Sequence, residues 1–391
     1  MTPLSVLLVC HSYPPVIGGS ELEAQRVSAA LVGRGYKVQV VCAGGDPMPA
    51  LKNWLDPAGV PVRMYGARWP FGVRRDRAYA LGVAGMLLTD DYDLVYFLMQ
   101  GLHLLVGLPI ARMRRKPILM KVGGSNVITA MSKMRSGRME LDWLRKWAYR
   151  VMILNDGMRE EGLAEGFSNE QLYWMPNPVD TVEFAPASDA RRRELRERFG
   201  LPAETPVVLY LGRVAPEKSL ENLVDAFARV LERAPQAVLA FVGDGPSRKG
   251  LEDQARALGL PADRVRFVGL VKPAEVPAWL QASDIYTLVS YNEGFPCALV
   301  EAMSVGLASV VSDIPANRQL VDEGLHGRLV PPGDVDGIAA GILALIDDAG
   351  GRARMGAAAR RRVLDNYSLD KIADRYERLF HDAVAAGGQA S

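Results

Sequence analysis

Short runs of β-branched and aliphatic residues recur along this chain, each followed by a stretch with helical spacing, and that alternation leaves few folds open. LSVLLVC at 4–10 leads into an amphipathic stretch that reaches Leu31, and KVQVVC follows at 37–42. DLVYFL at 93–98, PILMKV at 117–122, VMIL at 151–154 and LYWM at 172–175 continue the series. Runs that are apolar throughout belong to strands covered on both faces, as in a parallel sheet with helices on each side. The series breaks at Asn177-Pro178-Val179-Asp180 and at the charged stretch beyond it, then restarts with VVLYLG at 207–212. AVLAFVG at 237–243, RVRFVG at 264–269, DIYTLVS at 284–290 and ASVVS at 308–312 complete the second series. Two such series predict an α/β chain of two doubly wound domains facing a cleft, the first over 1–180 and the second over 181–366. From Ser368, a plausible N-cap, apolar residues at 369, 372, 373, 376, 379, 380 and 383 keep a helical period. This terminal helix and tail, 367–391, is expected to cross back onto the N-terminal domain.

The length of 391 residues agrees with two cores rather than one. A net charge of +1 gives the whole chain no bulk attraction for polyanions, and no nucleic-acid partner is expected. The charge is uneven, however: residues 112–150 hold eleven bases and two acids, with Met139, Trp143, Leu144 and Trp147 at helical spacing among them. That pattern suits either docking at an anionic membrane surface or a helix packed on its own sheet. Cys10, Cys42 and Cys297 are too scattered for a disulfide framework or a metal site. The chain start lacks the layout of a signal peptide, and no uncharged apolar run approaches the roughly 20 residues of a membrane span. A cytoplasmic protein is expected, peripheral at the inner membrane face if the basic segment docks there.

Ligands of open α/β sheets bind beyond the carboxyl ends of the strands, so the residues after each run carry the chemistry. Gly18-Gly19 follow the first run and open a helix, either as a turn or as a place where backbone N–H groups meet a phosphate. Arg213 and Lys218 follow the run at 207–212. A guanidinium fork and an ammonium beside a helix start suit a diphosphate, although two solvated surface bases would read the same. Glu293 and Glu301 follow the run at 284–290, with Gly294, Phe295 and Pro296 directly after the first. One carboxylate lies in the loop and the other in the next helix, so both can accept hydrogen bonds from sugar hydroxyls in one cleft. The alternative is a loop glutamate and an unrelated helix glutamate.

Taken in order, NPVD (177–180), GRVAPEKSLENLVDAF (212–227), VGDGP (242–246), EGFPCALVEAMSVG (293–306), SDIPANRQLV (312–321) and GRLVPPGD (327–334) resemble the donor domain of the retaining family 4 glycosyltransferases. These enzymes have the GT-B fold, two Rossmann-like domains. The first half resembles them more loosely, chiefly through YPPVIGGSE (13–21). The resemblance implies that Glu293 contacts donor-sugar hydroxyls and that Glu301 holds the ribose. The loop backbone at Gly294, Phe295 and Pro296 would lie beside the sugar and phosphates. Arg213 and Lys218 would neutralise the diphosphate as it leaves, and Gly19 would let the N-terminal loop reach the same diphosphate on closure. It further implies transfer with retention from a UDP- or GDP-sugar to a glycan or lipid-linked acceptor, in bacterial cell-surface polysaccharide or glycolipid synthesis. No metal and no cofactor beyond the nucleotide-sugar substrate are expected.

The match has departures. Some relatives carry a histidine after the fourth strand; His103 is the candidate here, with Gln100 a rival for that position. Many carry another after the next strand, where this chain reads Lys121-Val122-Gly123-Gly124-Ser125-Asn126. Asp91-Tyr92-Asp93 has a metal-binding spacing but precedes a strand, as a polar turn does, and Asp334-Val335-Asp336 reads as a helix start. Two other functions fit the same architecture: a nucleotide-sugar 2-epimerase, and a catalytically silent nucleotide-binding partner of a membrane complex.

Overall fold

Each βα series forms one sheet. The structure, a computed structural model, describes residues 3–14, 18–44, 53–65 and 75–389. Pro15, Val16 and Ile17 of the glycine motif and the end of the Ala/Gly tail lie outside them. The chain divides into two compact units, Met1–Pro178 with Leu369–Ser391, and Val179–Ser368.

Unit 1 runs β1 (Ser5–Cys10), α1 (Gly19–Gly33), β2 (Lys37–Ala43), β3 (Asn53–Leu55), β4 (Pro61–Tyr65), α2 (Arg75–Thr89) and β5 (Leu94–Leu98). It continues through α3 (Leu102–Met113), β6 (Ile118–Lys121), α4 (Val127–Ser132), α5 (Arg135–Trp147), β7 (Ala148–Ile153), α6 (Asp156–Ala164) and β8 (Leu172–Trp174). The sheet order is β3-β4-β2-β1-β5-β6-β7-β8, parallel except for the β3–β4 pair. The apolar runs became the central strands: β5 is buried at every position, and β1 at every position but its first. β3 and β4 were not evident in the sequence. β3 is three residues long, and β4 buries Val62 and Met64 in alternation, so neither makes a continuous apolar run. Asp93 of the acidic turn accepts from the Ser5 amide at 2.7 Å and fixes the entry to β1.

Unit 2 runs α7 (Asp189–Arg198), β9 (Val207–Leu211), α8 (Leu220–Arg233), β10 (Val238–Val242), α9 (Arg248–Ala257), β11 (Val265–Gly269), α10 (Val276–Ala282) and β12 (Ile285–Leu288). It ends with α11 (Cys297–Ser304), β13 (Ala308–Ser312), α12 (Pro315–Arg318), β14 (Gly327–Val330), α13 (Val335–Asp347) and α14 (Ala349–Asn366). All its strands are parallel, in the order β11-β10-β9-β12-β13-β14. β14, four residues between polar turns, was a further strand the apolar runs did not announce. α8 buries Leu220, Leu223, Val224, Phe227 and Val230 along one stripe, each worth about 1.5–3 kcal/mol against exposure. Asp334 caps α13 by accepting from the Gly337 amide at 2.9 Å, as its helix-start spacing suggested.

Helix α15 (Leu369–Gln389) returns to unit 1, where Ile372, Tyr376, Leu379, Phe380 and Ala383 join the core formed by β1, β2 and α1. Ser368, expected to cap it, sends its hydroxyl back to the Leu364 carbonyl at 3.1 Å. Among the described residues no helix is long and apolar enough to cross a membrane.

Candidate active site

In the sheet of unit 2 the strand order reverses between β9 and β12, and a doubly wound sheet opens its ligand crevice at that point. Lys218 follows β9, Glu293 follows β12, and the lysine Nζ lies 2.7 Å from Glu293 Oε1. The same carboxylate oxygen accepts from Ser290 Oγ at 2.6 Å. The side chains are 18% and 10% exposed, so the pair interacts more strongly than a solvated one and also carries a desolvation cost.

The backbone around the pair is fixed. Pro216–Lys218 form a single 3₁₀ turn, and Ser219 after it is buried with φ 54°, a left-handed conformation that costs a non-glycine residue roughly 1 kcal/mol. Asn222 holds it by donating to Ser219 Oγ at 2.6 Å. The Tyr291 amide donates to the Glu217 carbonyl at 3.1 Å, tying the two loops together. The loop after β10 packs against the one after β9: the Val214 amide donates to the Asp244 carbonyl at 2.9 Å, and a Cβ at Gly243 or Gly245 would strike the Gly212 or Val214 carbonyl. VGDGP is therefore a backbone-packing motif, and its glycines let two loops close on each other.

Arg213 stands apart from this pair. It is 67% exposed and pairs with Glu217 one turn on. Gly294, Phe295 and Pro296 form the loop that starts α11, with Pro296 at its N-cap. Glu301 is buried on α11, close enough to the Tyr286 phenol to help raise its pKa, after burial and Tyr210 and Glu293. Ser290 and Ser219 were not evident in the sequence, because a serine at a strand end or before a helix is commonplace; only its position against a charged neighbour marks it.

Gly19 and His103 belong to unit 1, whose own order reverses between β1 and β5. Gly19 is the first residue of α1, but the anion at that helix start is the chain's own: Glu21 folds back over Gly18 and accepts from Ser12 Oγ and, at 3.2 Å, from Ser20 Oγ. A pocket of about 400 Å³ opens here, lined by His11, Ser12, Glu21, Tyr79, Gln100 and His103 among others. His103 is buried against Tyr79, and burial, with His11 nearby, lowers its pKa to about 3. Among the described residues its Nε2 and the Gln100 Oε1 have no hydrogen-bond partner, so its bond to the Met99 backbone runs through Nδ1. That leaves Nε2 as an unprotonated acceptor. Met99, at φ 75°, is itself held in the left-handed region. Among the described residues no group of three or more His, Cys, Asp or Glu side chains is placed to hold a metal ion.

Two largely parallel sheets, each with its strand order reversing at one point, define a two-domain Rossmann-like fold. Residues 191–362 match the family model of the glycosyl transferases group 1, and residues 18–178 that of a glycosyl transferase 4-like domain. The chain is 30% identical over 250 residues to an alpha-D-kanosaminyltransferase of Streptomyces kanamyceticus, covering 62% of this chain and 64% of that one. It is 28% identical over 386 residues to a phosphatidyl-myo-inositol mannosyltransferase of Mycolicibacterium smegmatis, covering 97% and 94%. HepE of Anabaena, solved with UDP and glucose, shares the fold with a TM-score of 0.80 at 23% identity, covering 97% of this chain and 100% of that one. The chain belongs to the group 1 glycosyl transferases and has the two-domain GT-B architecture.

Proposed function

We propose that this glycosyltransferase moves a hexose-type unit, with retention, from a UDP- or GDP-sugar to a hydroxyl of a glycan or lipid-linked acceptor, in bacterial cell-surface polysaccharide or glycolipid synthesis. Unit 2 holds the donor and no metal takes part. The Lys218–Glu293 pair carries this reading. A diphosphate draws the ammonium to itself, which releases Glu293 Oε1 to accept from the sugar while Ser290 keeps the carboxylate aimed. Positive charge on the leaving diphosphate then comes from Lys218, from Arg213 once it turns from Glu217, and from the N-terminus of α11. Reaction on one face of the sugar passes the acceptor proton to the leaving phosphate. The name of the phosphatidyl-myo-inositol mannosyltransferase relative supports a lipid-borne acceptor.

Lys218→Ala and Glu293→Ala are each expected to lower transfer by about 10²–10³ without loss of folded protein; full activity in both would remove the donor assignment. Transfer should survive excess chelator, and a strict manganese requirement would contradict the metal-free reading. A 2-epimer formed without acceptor would favour the isomerase, and tight donor binding with no turnover the silent partner. The basic stretch through α5, with Met134 and Met139 exposed among Lys133, Arg135 and Arg138, supports contact with an anionic bilayer. Salt-sensitive sedimentation with anionic vesicles tests it.

A further inference from the structure

The bases of residues 112–150 do not share one role. At the end of α3, Arg114 is used structurally: its guanidinium donates to the carbonyls of Leu87, Leu88 and Asp90 at 3.1, 2.9 and 3.0 Å. Arg112 and Arg115 are exposed, and no carboxylate pairs with either among the described residues. Lys116 Nζ lies 3.9 Å from Asp91, which is itself fully solvated. These three cations line a pocket of about 390 Å³ with Trp147 and Tyr149. It sits at the amino ends of β6 and β7, the opposite end of the sheet from His11 and His103.

The pocket has built walls. Trp147 stacks on Trp143 at 5.2 Å and 16°, and Arg150 lies over the Tyr149 ring at 4.3 Å. Small residues of α15, Ala383, Ala386 and Gly387, line it too, and a Cβ at Gly387 would come within 3.0 Å of Pro117. Arg115 has φ 55°, just past the helix end, where glycine or asparagine is the usual occupant. Cations do favour a helix C-terminus, but that field does not require an arginine in a strained conformation beside two aromatic rings. The helix end itself accounts for the left-handed turn, because the Arg115 and Lys116 amides donate to the Arg112 and Ala111 carbonyls at 3.0 Å each; a glycine would make the same cap, so the guanidinium beside the two rings is left to a ligand.

We propose that this pocket is a second binding site, separate from the donor loops, for a small molecule bearing a phosphate or diphosphate. Arg112, Arg115 and Lys116 hold the anion, and its ring or apolar part lies on Trp147 and Tyr149. The phosphate belongs either to a soluble ester or to a lipid headgroup, and two probes separate these. In the full chain, inorganic pyrophosphate should give a saturable change in tryptophan fluorescence that persists in Lys218→Ala. Arg112→Glu and Arg115→Gly should each weaken it about tenfold or more, while Arg115→Gly keeps or raises the melting temperature because glycine suits that backbone. Such a response assigns a soluble ligand. Sedimentation with phosphatidylglycerol vesicles and not with phosphatidylcholine vesicles, lost in the same two variants and without a pyrophosphate response, assigns a headgroup. Response to neither probe, or a response both substitutions leave unchanged, overturns the site.

Discussion

Lys218 and Glu293 neutralise each other across 2.7 Å, and Ser290 decides where the carboxylate points when the lysine leaves it. Ser290→Ala therefore removes one charged hydrogen bond of roughly 1.5–3 kcal/mol, and kcat/KM should fall about tenfold to a hundredfold; an unchanged value would show that the loop alone aims Glu293. Two buried titrating groups give the fold opposed pH dependences. The His103 imidazole is lowered from 6.5 to about 3 by burial, so between those values the unfolded chain binds the extra proton and stability falls as pH drops, by up to roughly 1.4 kcal/mol per unit. Burial raises the Glu140 carboxyl from 4.5 to about 7. There the folded chain binds the extra proton, and stability falls as pH rises. Where the two windows overlap, from about 4.5 to 6.5, the slopes offset each other. Glu140→Gln should leave the histidine slope exposed, visible as a urea midpoint that falls more steeply than wild type from pH 6.5 to 4.5; equal slopes would show that Glu140 is not the compensating group. Lys218 and Glu293 could be singled out in the sequence because each follows an apolar run. The neutral state of His103 could not, since it depends on Tyr79 and His11, distant in sequence.

Among the elements, α15 shows how a buried charge can anchor a helix. Glu23 of α1 takes the Lys121 ammonium of β6 and, at 2.9 Å, the Tyr376 hydroxyl of α15, while Tyr376 also meets Tyr96 at 3.0 Å. At the rim, Arg34 bonds Asp374 and Glu377 at 2.7 and 2.6 Å. Glu23→Ala leaves the buried Lys121 ammonium its bond to Asn177 Oδ1 at 2.8 Å but removes its counter-charge, and should cost about 3–5 kcal/mol by chemical denaturation, whereas Tyr376→Phe should cost about 1 kcal/mol. Similar values for the two would mean that the lysine regains water or another partner. The helix itself was legible from its spacing, and the central strands from their unbroken apolar runs. This network was not, because Lys121 reads in sequence as a departure from a family pattern and Glu23 as one more helix surface acid. Strands β3 and β14, at sheet edges, and β4, next to one, escaped for a related reason: strands there have one covered face or little length, so their residues do not need to be apolar throughout.

At the scale of the molecule, the loops that carry Lys218 and Glu293 lie within Val179–Ser368. A nucleotide that binds there stabilises that unit directly, by about 2.7 kcal/mol at a hundredfold excess over Kd. Scanning calorimetry with UDP and GDP should therefore raise the unfolding of unit 2, with Trp279 of α10 as its local fluorescent reporter. A shift that spares the Trp279 signal would place the nucleotide elsewhere. Unit 1, by contrast, is assembled from segments on either side of unit 2, because α15 fills its core. On the ribosome the order of completion is thus the reverse of the order of synthesis. The second half has all its residues in hand while the first still waits, one face of its core uncovered, for α15 to leave the exit tunnel. A stop codon placed before α15 would consequently harm the half of the protein that was made first.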